Sequence, residues 1–169
     1  TKMVITSSRD YGSLAKKITK ETLLDSASFH AFLTNKDSME IYGFDQPNQL
    51  CMFIPNTYFV DWDATERELL DRLYREYNAF WNDDRLAQAS KIAMNTNEIQ
   101  TLASIVFWET NSKKDMPMIA GVYMNRIRLG MPLQADPTLK FAAYKLPKYK
   151  NTIIIRKCIC GFIAINGGM

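Results

Sequence analysis

The sequence predicts an α+β protein, mainly α-helical with a few short strands. Three observations carry this. Apolar residues make up 47% of the 169, enough to build a core. The clearest periodic stretch, Leu69, Leu70, Leu73, Tyr74, Tyr77, Phe80 and Trp81, repeats at helical spacing. The β-like runs are brief: Val4 to Ser7, Cys51 to Ile54, and Phe59 to Trp62.

Composition also bounds function. The net charge is +3 and the basic residues are scattered, which does not argue for nucleic acid. Cys51, Cys158 and Cys160 lack the paired spacing of a zinc site, so no metal is expected, and no cofactor either. No apolar run approaches the length that spans a bilayer, so this piece reads as soluble. It opens at Thr1-Lys2-Met3-Val4-Ile5 as though entering a strand midway, which suggests part of a longer chain.

In chain order, Tyr11-Gly12-Ser13 opens a helix with Leu14, Ile18 and Leu23 on its apolar side. Asp25 and Ser26 cap the next, which carries Phe29, Phe32 and Leu33. His30, the single histidine, falls on the exposed phase. Ser38 to Tyr42 forms a short helix stopped by Gly43, and Pro47 lies in a loop. Pro55-Asn56-Thr57-Tyr58 breaks the following apolar run. Tyr58 there either lines a groove or packs inward from a plain turn. Asp63 to Trp81 is the strongest helix, with Asp63 and Glu66 at capping-box spacing. Arg85 to Ile92 follows as a short one.

The central stretch is Leu102-Ala103-Ser104-Ile105-Val106-Phe107-Trp108-Glu109-Thr110. Asn95 is placed to cap its helix and Glu98 to complete the cap. Leu102, Ile105 and Val106 share a face with Glu109. A carboxylate there is either a paired core acid or a cleft acid whose burial favours the protonated form. Glu98 lies roughly 16 Å along the axis, too far to be a partner acid. Asp115 and Pro117 then start a helix whose inner stripe is Met116, Ala120, Tyr123 and Ile127. Arg126 and Arg128 suit its negative end, and Gly130 stops it. A short connection brings this helix near Glu109. Met131 to Thr138 is irregular, with Gln134 and Asp136 on one side if extended. Thr138 to Tyr144 reads as a short helix, and Asn151 to Ile165 as strand.

Three separated segments, in order, resemble the YceG/MltG-like endolytic murein transglycosylases, most of all the branch found in the Bacteroides group. They are Phe53-Ile-Pro-Asn-Thr-Tyr58, Leu102 to Asn111, and Ala120 to Thr138. The resemblance runs from about Tyr11 to Tyr144. It implies a helix-borne, lysozyme-like glutamate in a catalytic domain over residues 11–146. Residues 1–10 would then end a LysM-like segment or linker, and residues 147–169 form a divergent or truncated tail. The resemblance further implies cleavage of β-1,4 bonds between N-acetylmuramic acid and N-acetylglucosamine, leaving 1,6-anhydro ends and terminating glycan elongation.

In that family the acid directly before Thr is catalytic, and here it is Glu109. Asn125, Gln134, Asp136, Tyr58 and Tyr123 are candidates for substrate binding; a turn cap is the alternative for Asp136, and core packing for Tyr123. Phe107 stands where the family often has a second acid, and Trp108 replaces a usually charged neighbour. The family's Tyr-Asn-Thr-Tyr and Leu-Pro-Pro-Gly segments are not found after about Lys150. The implied partners are peptidoglycan glycan strands and peptidoglycan synthases. The implied location of the full-length protein is the inner membrane, facing the periplasm, through an N-terminal helix. A catalytically impaired glycan-binding remnant is the alternative reading.

Overall fold

A computed structural model describes residues 1–8, 10–44 and 48–145. The loop expected at Pro47, the strand expected from Asn151 to Ile165, and the tail at 147–169 lie outside these. The described residues form one two-stranded sheet and eight α-helices in two compact units, Thr1–Asn97 and Glu98–Met169. Residues 1–10, expected to end a preceding segment, lie in the first of these units. There β1 (Lys2–Ile5) pairs antiparallel with β2 (Asn56–Phe59).

The register sets Met3 opposite Tyr58 and Ile5 opposite Asn56. Alternation turns Met3 and Ile5 inward and Lys2 and Val4 outward. Between the strands run α1 (Tyr11–Thr19), α2 (Ser26–Thr34) and α3 (Lys36–Glu40), then a 3-10 turn at Asn48–Met52. Asp10 caps α1 by accepting from the Ser13 amide at 2.7 Å. Asp25 caps α2 through the Ser28 amide at 2.8 Å. Leu14, Ala15, Ile18, Phe29 and Leu33 are buried where α1 meets α2. Leu23, expected on the apolar side, is 67% exposed because α1 ends at Thr19. α3 starts two residues before the expected Ser38, because the Asn35 side chain accepts from the Asp37 and Ser38 amides.

α4 (Glu66–Phe80) buries Leu69, Leu70, Leu73 and Tyr77. Its capping box is Thr65 with Glu68, not Asp63 with Glu66. The Thr65 amide donates to Glu68 Oε2 at 2.9 Å, and the Glu68 amide to Thr65 Oγ1 at 3.3 Å. Glu66 instead accepts from the Ser28 hydroxyl at 2.9 Å. Tyr42 meets Tyr74 and Phe44 meets Tyr77 edge-on, the latter with centroids 5.0 Å apart, while Tyr74 and Tyr77 lie nearly parallel. α5 (Asp83–Lys91) is capped by Asn82. It ends at Ala93, whose φ of 53° is left-handed.

The second unit holds most of α6 (Thr96–Glu109), then α7 (Met116–Arg128) and α8 (Asp136–Lys145). Leu102, Val106, Tyr123, Leu133 and Ala135 are its buried apolar side chains among the described residues. α7 closes on Gly130, φ 64°, with the Met131 amide reaching back to the Arg126 carbonyl at 2.8 Å. Among the described residues no helix is long and apolar enough to cross a membrane.

Candidate functional site

Leu102, Val106 and Glu109 lie on one face of α6, as their spacing requires. Leu102 and Val106 are buried, but the cover stops there. Glu109, the last residue of the helix, is exposed. The expectation of an acid sunk among apolar side chains therefore fails. Phase around a helix fixes the direction of a side chain, not how far the neighbouring elements extend over it.

Glu109 opens instead onto a groove of about 510 Å³. Thr110 and Asp115 from the α6–α7 connection line it, with Met118, Val122, Tyr123 and Arg126 from α7 and Gln134 beyond. Ser112 donates its amide to Thr110 Oγ1 at 3.0 Å, which fixes the connection.

Tyr123 comes to this groove from the inner side of α7, its ring 6% exposed. Burial, the Glu109 charge and a side-chain hydrogen bond to Glu109 push the phenol up to about 12. The Arg126 charge opposes that rise, and Asp136 adds to it. A phenol so perturbed keeps its proton, and so faces the groove as a neutral donor. Asp136 thus lies within electrostatic range of Tyr123, although it does not line the groove.

Gln134 has φ 53°, an uncommon conformation for a residue with a Cβ, costing on the order of 1–3 kcal/mol. Arg126 holds it there. Its Nη1 donates to the Leu133 carbonyl at 2.8 Å, the Pro132 carbonyl at 3.2 Å and Gln134 Oε1 at 3.0 Å. Two hydrogens serve three oxygens, so one contact is shared. The extended path expected to put Gln134 and Asp136 on one side is not followed. Asp136 instead opens α8, with Pro137 in the first turn, where a missing N–H costs nothing. Thr138 donates its hydroxyl to the Ala135 carbonyl at 2.6 Å.

Of the expected site residues, Glu109, Tyr123 and Gln134 meet at the groove. Asn125 is exposed on α7 and does not line it; two residues from Tyr123 it lies roughly 200° around the helix. Tyr58 belongs to the first unit, 3% exposed, with its hydroxyl donating to the Ile54 carbonyl. Arg126 was absent from the expected set. Its spacing of three from Tyr123, which puts both on one face, is the signal that was available. Among the described residues no cluster of His, Cys, Asp and Glu is placed to hold a metal.

The model of the YceG-like family matches residues 1–157. The chain belongs to the YceG-like family. It is 32% identical over 92 residues to an endolytic murein transglycosylase of Bacillus subtilis (strain 168), covering 54% of this chain and 25% of that protein. The endolytic murein transglycosylase of Streptococcus pneumoniae serotype 2 (strain D39 / NCTC 7466) matches at 32% over 92 residues, 16% of its length. The chain therefore spans a quarter or less of these curated relatives. No solved structure gives a significant match. Within this YceG-like chain, the segment from Glu109 to Gln134 gathers carboxylate, phenol, guanidinium and amide at one groove.

Proposed function

We propose that this chain is an endolytic murein transglycosylase. It would cleave the β-1,4 bond between N-acetylmuramic acid and N-acetylglucosamine in nascent glycan strands. The observation that carries the reading is Glu109 at a groove it shares with Tyr123, Arg126 and Gln134, on a chain of the YceG-like family.

One carboxyl group suffices for the chemistry. Protonated Glu109 gives its proton to the glycosidic oxygen as the bond from that oxygen to the muramyl C1 breaks. The resulting carboxylate takes the proton of the muramyl 6-hydroxyl as that oxygen bonds to C1. The product is a 1,6-anhydro end, the acid is regenerated, and no second enzymic carboxylate is required. Gln134, which lines the groove, binds or orients the sugar beside it. In the whole protein, the proposed setting is the inner membrane facing the periplasm, alongside peptidoglycan synthases.

The test is a digest of purified glycan strands, scored by mass spectrometry for anhydro ends. The wild-type sequence releases them and Glu109→Gln does not; equal release by both overturns the assignment. The exposure of Glu109, and of Phe107 and Trp108 beside it, favours one second reading. In that reading the chain is a glycan-binding remnant, which would bind strands and release no anhydro product.

A further inference from the structure

Arg126 carries donors only, so the Gln134 side-chain atom 3.0 Å from its Nη1 is an oxygen. Nε2 is then turned away from Arg126. Gln134 is exposed at the groove, and among the described residues no acceptor meets Nε2. The carboxylates of the groove are of opposite character. Glu109 and Asp115 are acceptors, and Arg126 Nη1 is occupied by the carbonyls of Pro132 and Leu133 and by Gln134 Oε1. The Gln134 amide therefore supplies two N–H groups, with their direction fixed by Arg126, to a groove that also carries two carboxylates. The same groove exposes apolar surface on Met118 and Val122, 68% and 48% exposed.

A substituent that uses both features has a pure acceptor oxygen and a methyl group. A sugar hydroxyl both donates and accepts, and is served by the carboxylates. An acetamido group has the carbonyl and the methyl together. We propose that Gln134 is a specificity-determining donor to the acetamido carbonyl of a bound amino sugar, and that Arg126 is the positioning residue that fixes its polarity. This rests on the glycan-strand reading above.

The experiment compares binding of N-acetylated and de-N-acetylated uncrosslinked glycan strands to the full chain, alongside anhydro-product assays. The expected preference for acetylated strands is about tenfold, the typical effect of one paired amide. Gln134→Met keeps the bonds from Arg126 to both carbonyls, and should bring the two affinities within about twofold. Arg126→Lys keeps the charge but is a single point donor, and should lose the same preference with Gln134 still present. A merely structural role would weaken binding of both strands equally and leave their ratio unchanged. A ratio unaltered in Gln134→Met overturns the proposal, whatever Arg126→Lys does. A ratio lost in Gln134→Met but kept in well-folded Arg126→Lys overturns the positioning role. Preference without any anhydro product would sink the transglycosylase reading and leave this one standing; no binding of either strand would sink both.

Discussion

Tyr123, 6% exposed, lines the same groove as Glu109, and burial with the Glu109 charge pushes its phenol up to about 12. The acid is at the end of its helix, open to solvent, and the phenol is the neutral donor that shares its groove. Tyr123→Phe removes the phenol hydroxyl from the groove while keeping the ring in place. The expected outcome is a loss of about tenfold in anhydro-product formation, with little change in melting temperature. Initial rates on glycan strands, beside a thermal melt, check it. Full activity in a well-folded Phe variant would show that Glu109 is oriented by something else.

Alkaline pH reads the buried phenols directly. Tyr42, Tyr58 and Tyr123 are each pushed up to about 12, chiefly by burial. The folded state holds these protons more tightly than the unfolded chain, whose tyrosines lose theirs near about 10. Their contribution to stability is thus complete below about pH 10 and is lost as pH rises toward about 12. Denaturant midpoints taken across this window should fall with pH, and phenolate absorbance should lag behind that of the unfolded chain. A flat midpoint would contradict the burial of these rings.

Ala93 ends α5 in the left-handed region, φ 53°, with its amide donating to the Ser90 carbonyl at 3.1 Å. Glycine is the residue suited to such a cap, because a Cβ there is strained. Ala93→Gly should stabilise the protein by about 0.5–1 kcal/mol, after the extra entropy of glycine in the unfolded chain is deducted. Equilibrium unfolding measures it, and a destabilised variant would count against the assigned cap.

Core and surface leucines should separate cleanly. Leu70 is fully buried on α4, and Leu70→Ala should cost about 2–5 kcal/mol. Leu23, 67% exposed beyond the end of α1, should tolerate the same change within about 0.5 kcal/mol. Comparable losses at the two positions would mean that Leu23 is covered in solution.

Those two leucines mark where the sequence was legible. The stripe Leu69, Leu70, Leu73 and Tyr77 repeats over a full helix, so period alone identifies its buried face. Leu23 lies just past the last turn of α1, where period no longer applies. Asp63 with Glu66 and Thr65 with Glu68 have the same spacing, and the second pair has the Thr–Glu form of the box and makes it. At the site, Glu109 and Gln134 were legible through family motifs. Arg126 was not, because a basic residue near a helix C-terminus is already accounted for by the dipole. Its true partners, the carbonyls of Pro132 and Leu133, come within reach only after the chain reverses at Gly130.

Phe107 and Trp108 occupy positions where the family often has charge, and the structure gives them edge-to-face geometry, centroids 5.9 Å apart. They are 51% and 48% exposed and do not line the groove. Phe107 lies roughly 200° around α6 from Glu109, so it faces away from the acid. Phe107→Ala should therefore change stability by no more than about 0.5–1 kcal/mol, the worth of a partly exposed aromatic contact. It should also leave anhydro-product formation within about twofold, since the ring meets none of the groups around Glu109. The paired measurement is a thermal melt and a glycan digest on the same preparation. A tenfold loss of product with an unchanged melt would mean that the bound strand wraps over the end of α6 and uses the aromatic pair after all.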